Sequence, residues 1–142
     1  MCRVRDSALA PLGTIRAMLS RAPLVAFIPV NDLASARSFY GEVLGLQVTD
    51  ENPVAVVLDS GGTMLRLTQV DNHQPQPFTI AGWAVPDIDA AVDVLVGRGV
   101  TFVRFKGIEQ NERGIWAAPS GDYVAWFKDP DGNVLSLTSF TP

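Results

Sequence analysis

Few side chains in this chain could make or break bonds. His73 is the only histidine and Cys2 the only cysteine in 142 residues, so no Ser-His-Asp or Cys-His arrangement is evident. His73 sits in the polar, Pro-rich run DNHQPQP (71–77), where a solvated loop residue is a simpler reading than a general base. Glu109 and Glu112, in KGIEQNERG, could form an acid–base pair, but a charged loop that stays in water explains them more simply. Two other residues stand out by spacing. Arg66 in GTMLRLT (62–68) and Ser136 in GNVLSLT (132–138) hold the same place in matching heptads. They offer one fixed cation with several donors and one hydroxyl.

The elements that must position them are regular. A strand is expected at 24–30, then an amphipathic helix from Asp32 to Leu44 ended by Gly45, then strands at 46–50, 53–58 and 63–70. The order repeats: a strand at 78–85, a helix at 87–97, and strands near 100–105, 114–118, 122–128 and 133–140. VNDLASA (30–36) aligns with VPDIDAA (85–91) at an offset of 55, and the two heptads align at an offset of 70. The chain is therefore read as a tandem duplication of a β-α-β-β-β unit with 15 residues inserted in the second half. Module one is expected at 23–70, a linker at 71–77 and module two at 78–142, together a single domain. Residues 1–22 form an N-terminal arm with a short helix expected in PLGTIRAMLS. The arm is either a packing appendage or sequence upstream of a natural start at Met18.

Composition excludes several function classes. The net charge is −4, with the acidity concentrated outside an arginine-rich arm, which disfavours nucleic acid as a partner. The longest apolar stretch, PLVAFIPV, is too short to span a bilayer, so no membrane association is expected. One cysteine permits no intrachain disulfide, and a cytoplasmic location is the default expectation.

DLASARSFYGEVLGL (32–46) and FKDPDGNVLSL (127–137), in that order within a duplicated chain, resemble the vicinal oxygen chelate superfamily. That superfamily includes glyoxalase I, extradiol dioxygenases and bleomycin-resistance proteins. The resemblance covers about 24–140 and implies an α+β fold in which the two modules form a curved, cleft-bearing mixed sheet. Metalloenzymes of this kind take ligands from four strand positions, which here fall at Val25, Arg66, Ile80 and Ser136. Valine and isoleucine have no lone pair to offer, arginine has donors only, and a lone neutral serine is a poor ligand. The resemblance therefore implies a member without the metal ligands, and no cofactor is expected.

Side-chain alternation then predicts what lines the cleft. Phe27 accompanies Val25, Met64 and Thr68 accompany Arg66, and Thr138 accompanies Ser136, with Trp116 and Trp126 as aromatic walls. Ile80 and Ser136 are expected on the same apolar pocket as Arg66. The leading reading is a metal-independent small-molecule-binding protein that sequesters or senses an organic compound, anionic or rich in oxygen, and acts as a homodimer. The alternatives are an enzyme of the same superfamily (a lyase, isomerase or dioxygenase-like protein) using Arg66 electrostatically, and a structural or interaction module. No catalytic residue is assigned. The internal carboxylates that could instead pair with Arg66 are Glu109, Glu112 and Asp122.

Overall fold

The computed structural model describes residues 18–142. Most of the arm, with Cys2 and most of its expected helix, lies outside the described residues; Met18–Arg21 form one helical turn. In β1 (Val25–Val30) the residues alternate, with Ile28 and Val30 buried while Val25 and Phe27 face away from the core. Asp32 then caps helix α1 (Leu33–Ser38), accepting from the Ala34 and Ser35 amides at 3.1 and 3.2 Å. The expected single α-helix changes character at its midpoint. Phe39–Val43 form a π turn, closed by Leu44 N donating to Phe39 O at 2.9 Å. Gly45, at φ 79°, ends the helix.

Strands β2 (Gln47–Asn52), β3 (Ala55–Ser60) and β4 (Thr63–Gln69) complete the first half. The second half repeats it: β5 (Thr79–Ala84), helix α2 (Ile88–Gly97) capped by Asp87, β6 (Trp116–Ala117), β7 (Tyr123–Lys128) and β8 (Val134–Ser139). Hydrogen bonding makes two four-stranded mixed sheets, ordered β1-β4-β3-β2 and β5-β8-β7-β6, rather than one continuous sheet. In each, the first pair is parallel and the others antiparallel. The sequence offsets reappear as register: Phe27 pairs with Arg66, and Gly82 pairs with Ser136. One irregularity interrupts the symmetry, a bulge between Thr79 and Ala81 that takes Ile80 out of register with Val134.

The strand expected near 100–105 does not form. Thr101, Val103 and Phe105 alternate as a strand would, but only Val103 N reaches β7, donating to Trp126 O at 2.8 Å, while the Gln110 side chain donates to Val103 O at 3.0 Å and accepts from Phe105 N at 2.8 Å. The strand expected at 114–118 is two residues long, Trp116–Ala117. The buried side chains of both halves join in one cluster, from Ile28, Tyr40 and Leu67 to Val92, Phe127 and Leu135. The helices therefore cover one face of each sheet and leave the other open.

Candidate functional site

The two halves are held together by a polar network around the DPDGN turn. Asp129 is buried, and its Oδ2 accepts from the Tyr40 hydroxyl at 2.7 Å and from Asn133 Nδ2 at 2.9 Å. Its Oδ1 accepts from the amides of Asp131 and Asn133, which shapes the turn. Asn133 also donates to Pro29 O at 2.9 Å, joining the start of β8 to β1. Burial, then the neighbouring Asp129 carboxylate, push the Tyr40 hydroxyl well above its ordinary ionisation range, so it remains a donor. His73 is not the solvated linker residue expected from its surroundings. Its ring is within 2.7 Å of Asn133 Oδ1, and its backbone exchanges two hydrogen bonds with the Asn31 side chain. Because Asn133 Nδ2 is already committed to two acceptors, Oδ1 accepts and His73 Nε2 donates. These groups are structural, and the sequence signal that could have found them is the DPDGN turn itself.

The open faces carry the residues expected at the site. On the first sheet, Val25, Phe27, Met64, Arg66 and Thr68 share the face turned away from the helices. Phe27 is 63% exposed, Met64 42% and Val25 40%, an apolar surface unusual in its density of large side chains. The Arg66 guanidinium lies 5.9 Å from the centre of the Phe27 ring, a cation–π contact. Glu109, Glu112 and Asp122 do not pair with it. Asp122 accepts from Thr141 and Ser120, which holds its carboxyl below the ordinary range, while Glu112 lines a cavity with Arg104 and Arg113. Among the described residues, the ion pairs within 4.0 Å join Arg37 to Glu51 and Arg113 to Asp89 and Asp93, leaving Arg66 without a carboxylate.

On the second sheet, Ser136, Thr138, Trp116 and Trp126 share one face, while Ile80 falls at the bulge without a register partner. Trp126 is opposite Ser136 on β7 and packs near Trp116, ring centres 6.0 Å apart, and edge-on to Phe105 at 5.4 Å. Trp126 Nε1 donates to Thr79 Oγ1 at 3.0 Å. Ser136 is only 7% exposed because the tryptophan flanks it on one strand and Gly82 on the other. Arg66 and Ser136 lie on different hydrogen-bonded sheets, one in each half. A cavity of about 290 Å³ on the second open face takes Trp126, Phe78, Phe105 and Val134 into its lining without Arg66 or Ser136. The inserted loop that could have been a free lid is tied down instead. Arg104 donates to Asn111 O, and Arg113 binds Asp93 and Asp89 on α2.

Residues 22–137 match the sequence pattern of the Glyoxalase/Bleomycin resistance protein/Dioxygenase superfamily. The chain belongs to that superfamily. No curated protein matches it in sequence. Among solved structures, a glyoxalase/bleomycin resistance protein/dioxygenase from Alicyclobacillus acidocaldarius is 21% identical with a TM-score of 0.66, over 86% of this chain and 93% of that one. A glyoxalase family protein from Enterococcus faecalis is 20% identical, TM-score 0.66, over 86% and 100%. A lactoylglutathione lyase from Agrobacterium tumefaciens is 22% identical, TM-score 0.59, over 84% and 93%. At these identities the likeness shows the fold.

The superfamily includes metalloenzymes, so the donor set must be tested against a cation. Val25, Ile80, Arg66 and Ser136 do not fit one. Two have no donor atom, one is a fixed cation, and a lone neutral serine hydroxyl is a poor ligand. Among the described residues, no group of three or more His, Cys, Asp or Glu side chains is placed to hold a metal. No helix among them is long and apolar enough to cross a membrane.

Proposed function

We propose that this superfamily member binds a small organic compound on the open face of β1 and β4, without a metal, and that an anionic or electron-rich oxygen of the ligand meets Arg66. The observation that carries this reading is the guanidinium itself. It stands half-buried on an apolar face with a ring beneath it and no carboxylate partner among the described residues. Its planar fork suits a carboxylate, phenolate or ketone, and Phe27, Met64 and Val25 supply apolar contact beside it. The protein is read as a sequestering or sensing module of the cytoplasm.

The site is completed by a second copy of the chain. Each chain exposes two apolar open faces, one bearing Arg66 and one bearing Trp126 and Phe78. In a two-fold dimer the first face of one copy meets the second face of its partner, giving two equivalent clefts and covering both surfaces. The test is a tryptophan-fluorescence titration with a panel of aryl and alkyl carboxylates, phenols and ketones, each recovered afterwards for analysis. Arg66→Met is expected to weaken binding of the best compound at least tenfold, about 1.4 kcal/mol, with the compound recovered unchanged. Unchanged affinity in the variant would overturn the assignment of the site.

A further inference from the structure

A second cavity lies on the opposite side of the second sheet, where the two halves meet. It is an open cleft with a volume of about 330 Å³, lined by Leu44 and Leu46 from the first half and by Trp83, Leu95, Phe127 and Arg98 from the second, among others. Every lining residue except Arg98 is apolar. Trp83 and Phe127 alternate with Gly82 and Trp126, so this cavity is on the helix-covered face, separate from the open faces described above.

Two hydrogen bonds fix the polar character of this cavity. Trp83 Nε1 donates to Ser60 Oγ at 2.8 Å, and Ser60 is not part of the lining, so the indole presents hydrocarbon to the interior. Arg98 donates from Nη1 to Val43 O at 2.8 Å, a carbonyl at the end of the π turn. That bond holds an exposed guanidinium at the edge of the apolar space while Nε and Nη2 have no partner among the described residues. The result is an apolar chamber with one anchored cation at its edge.

We propose that this cavity is a binding site for a small monocarboxylic acid with a compact apolar body, its carboxylate on Arg98 and its body against Trp83, Leu95 and Phe127. Charge decides the head group, because the remaining guanidinium donors match the paired oxygens of a carboxylate. Volume decides the body. A cavity of roughly 150 Å³ admits a benzene ring, so about 330 Å³ accommodates a fused pair of rings or a branched chain of similar bulk.

The probes are 2-naphthoate and its neutral counterpart 2-naphthylmethanol, titrated into the full chain while the Trp83 indole N–H resonance is followed by NMR, alongside calorimetry. Naphthoate is expected to shift the Trp83 signal saturably and to bind at least tenfold more tightly than the alcohol. Arg98→Met should bring the acid down to the affinity of the alcohol, and Ala91→Leu, which fills the cavity, should abolish both. Arg66→Met should change neither, which separates this site from the open-face one. If Arg98→Met proves unstable, Arg98→Gln keeps a donor for Val43 O and removes the charge. The proposal is overturned by equal affinities for acid and alcohol, by a Trp83 signal unmoved at millimolar naphthoate, or by binding that is lost in Arg66→Met and kept in the Arg98 variants.

Discussion

Replacing Gly82 by alanine should destabilise the protein, and removing the Ser136 hydroxyl should rescue it. A Cβ at Gly82 would be 2.3 Å from Ser136 Oγ, 3.3 Å from Ser136 O and 3.6 Å from Ser136 Cβ. The first contact is impossible, so the hydroxyl must turn to another staggered position on a face already occupied by Trp126. Overpacking of this kind costs about 1–3 kcal/mol, while an alanine's stiffer unfolded chain returns about 0.4–1 kcal/mol. In a Ser136→Ala background the hydroxyl is gone, leaving an ordinary 3.6 Å packing contact and a tight 3.3 Å approach to the residue-136 carbonyl oxygen. There, Gly82→Ala should cost much less than in the wild type. Urea unfolding of the wild type, both single variants and the double variant gives the coupling, expected at about 1 kcal/mol or more. Equal costs of Gly82→Ala in both backgrounds, within about 0.5 kcal/mol, would refute the β5–β8 register and with it the placement of Ser136.

Tyr40→Phe should cost about 1.5–3 kcal/mol at neutral pH, because the buried Asp129 carboxylate loses a donor. The tyrosine hydroxyl is held neutral in the fold, so its contribution is present below its unfolded value near pH 10 and is lost above it by roughly 1.4 kcal/mol per pH unit. The Phe variant should lack that alkaline loss in urea titrations, and a wild-type stability flat above pH 10 would contradict it. Asp32 has its carboxyl lowered, chiefly by the Ser35 hydroxyl, so its helix-capping contribution is present at neutral pH and disappears as acid protonates it. Asp32→Ala should therefore lower the melting temperature at pH 7 and leave it unchanged at pH 2. Light scattering at micromolar concentration should give the mass of two chains; a single-chain mass would sink the shared-cleft arrangement.

The duplication was readable because offsets of 55 and 70 between matching segments are preserved by parallel strand pairing, and Phe27–Arg66 and Gly82–Ser136 stand in register accordingly. Periodicity was less able to show the π turn. Phe39, Tyr40, Val43 and Leu44 fit a 3.6-residue repeat, and only the long-range demands of Phe127 and Asp129 distinguish the wider turn. The segment 100–105 misled for the opposite reason: its alternation is that of a strand, but Gln110 supplies the hydrogen bonds a strand neighbour would have made. His73 could not be placed from its neighbours, since its partner Asn133 is 60 residues away. Val25, Arg66, Ile80 and Ser136 are named by the resemblance and Phe27, Met64, Thr68 and Thr138 by alternation, whereas their distribution over two sheets depends on how the halves pack.

The ligand's contact with Arg66 is most directly tested by NMR on protein labelled at the arginine side chains and methionine methyls, titrated with the tightest compound from the panel. The Arg66 Nε–H and Met64 methyl signals should shift together and saturate at the constant obtained from fluorescence, while Arg98 remains unmoved. Saturation without a response at Arg66 or Met64 would contradict it.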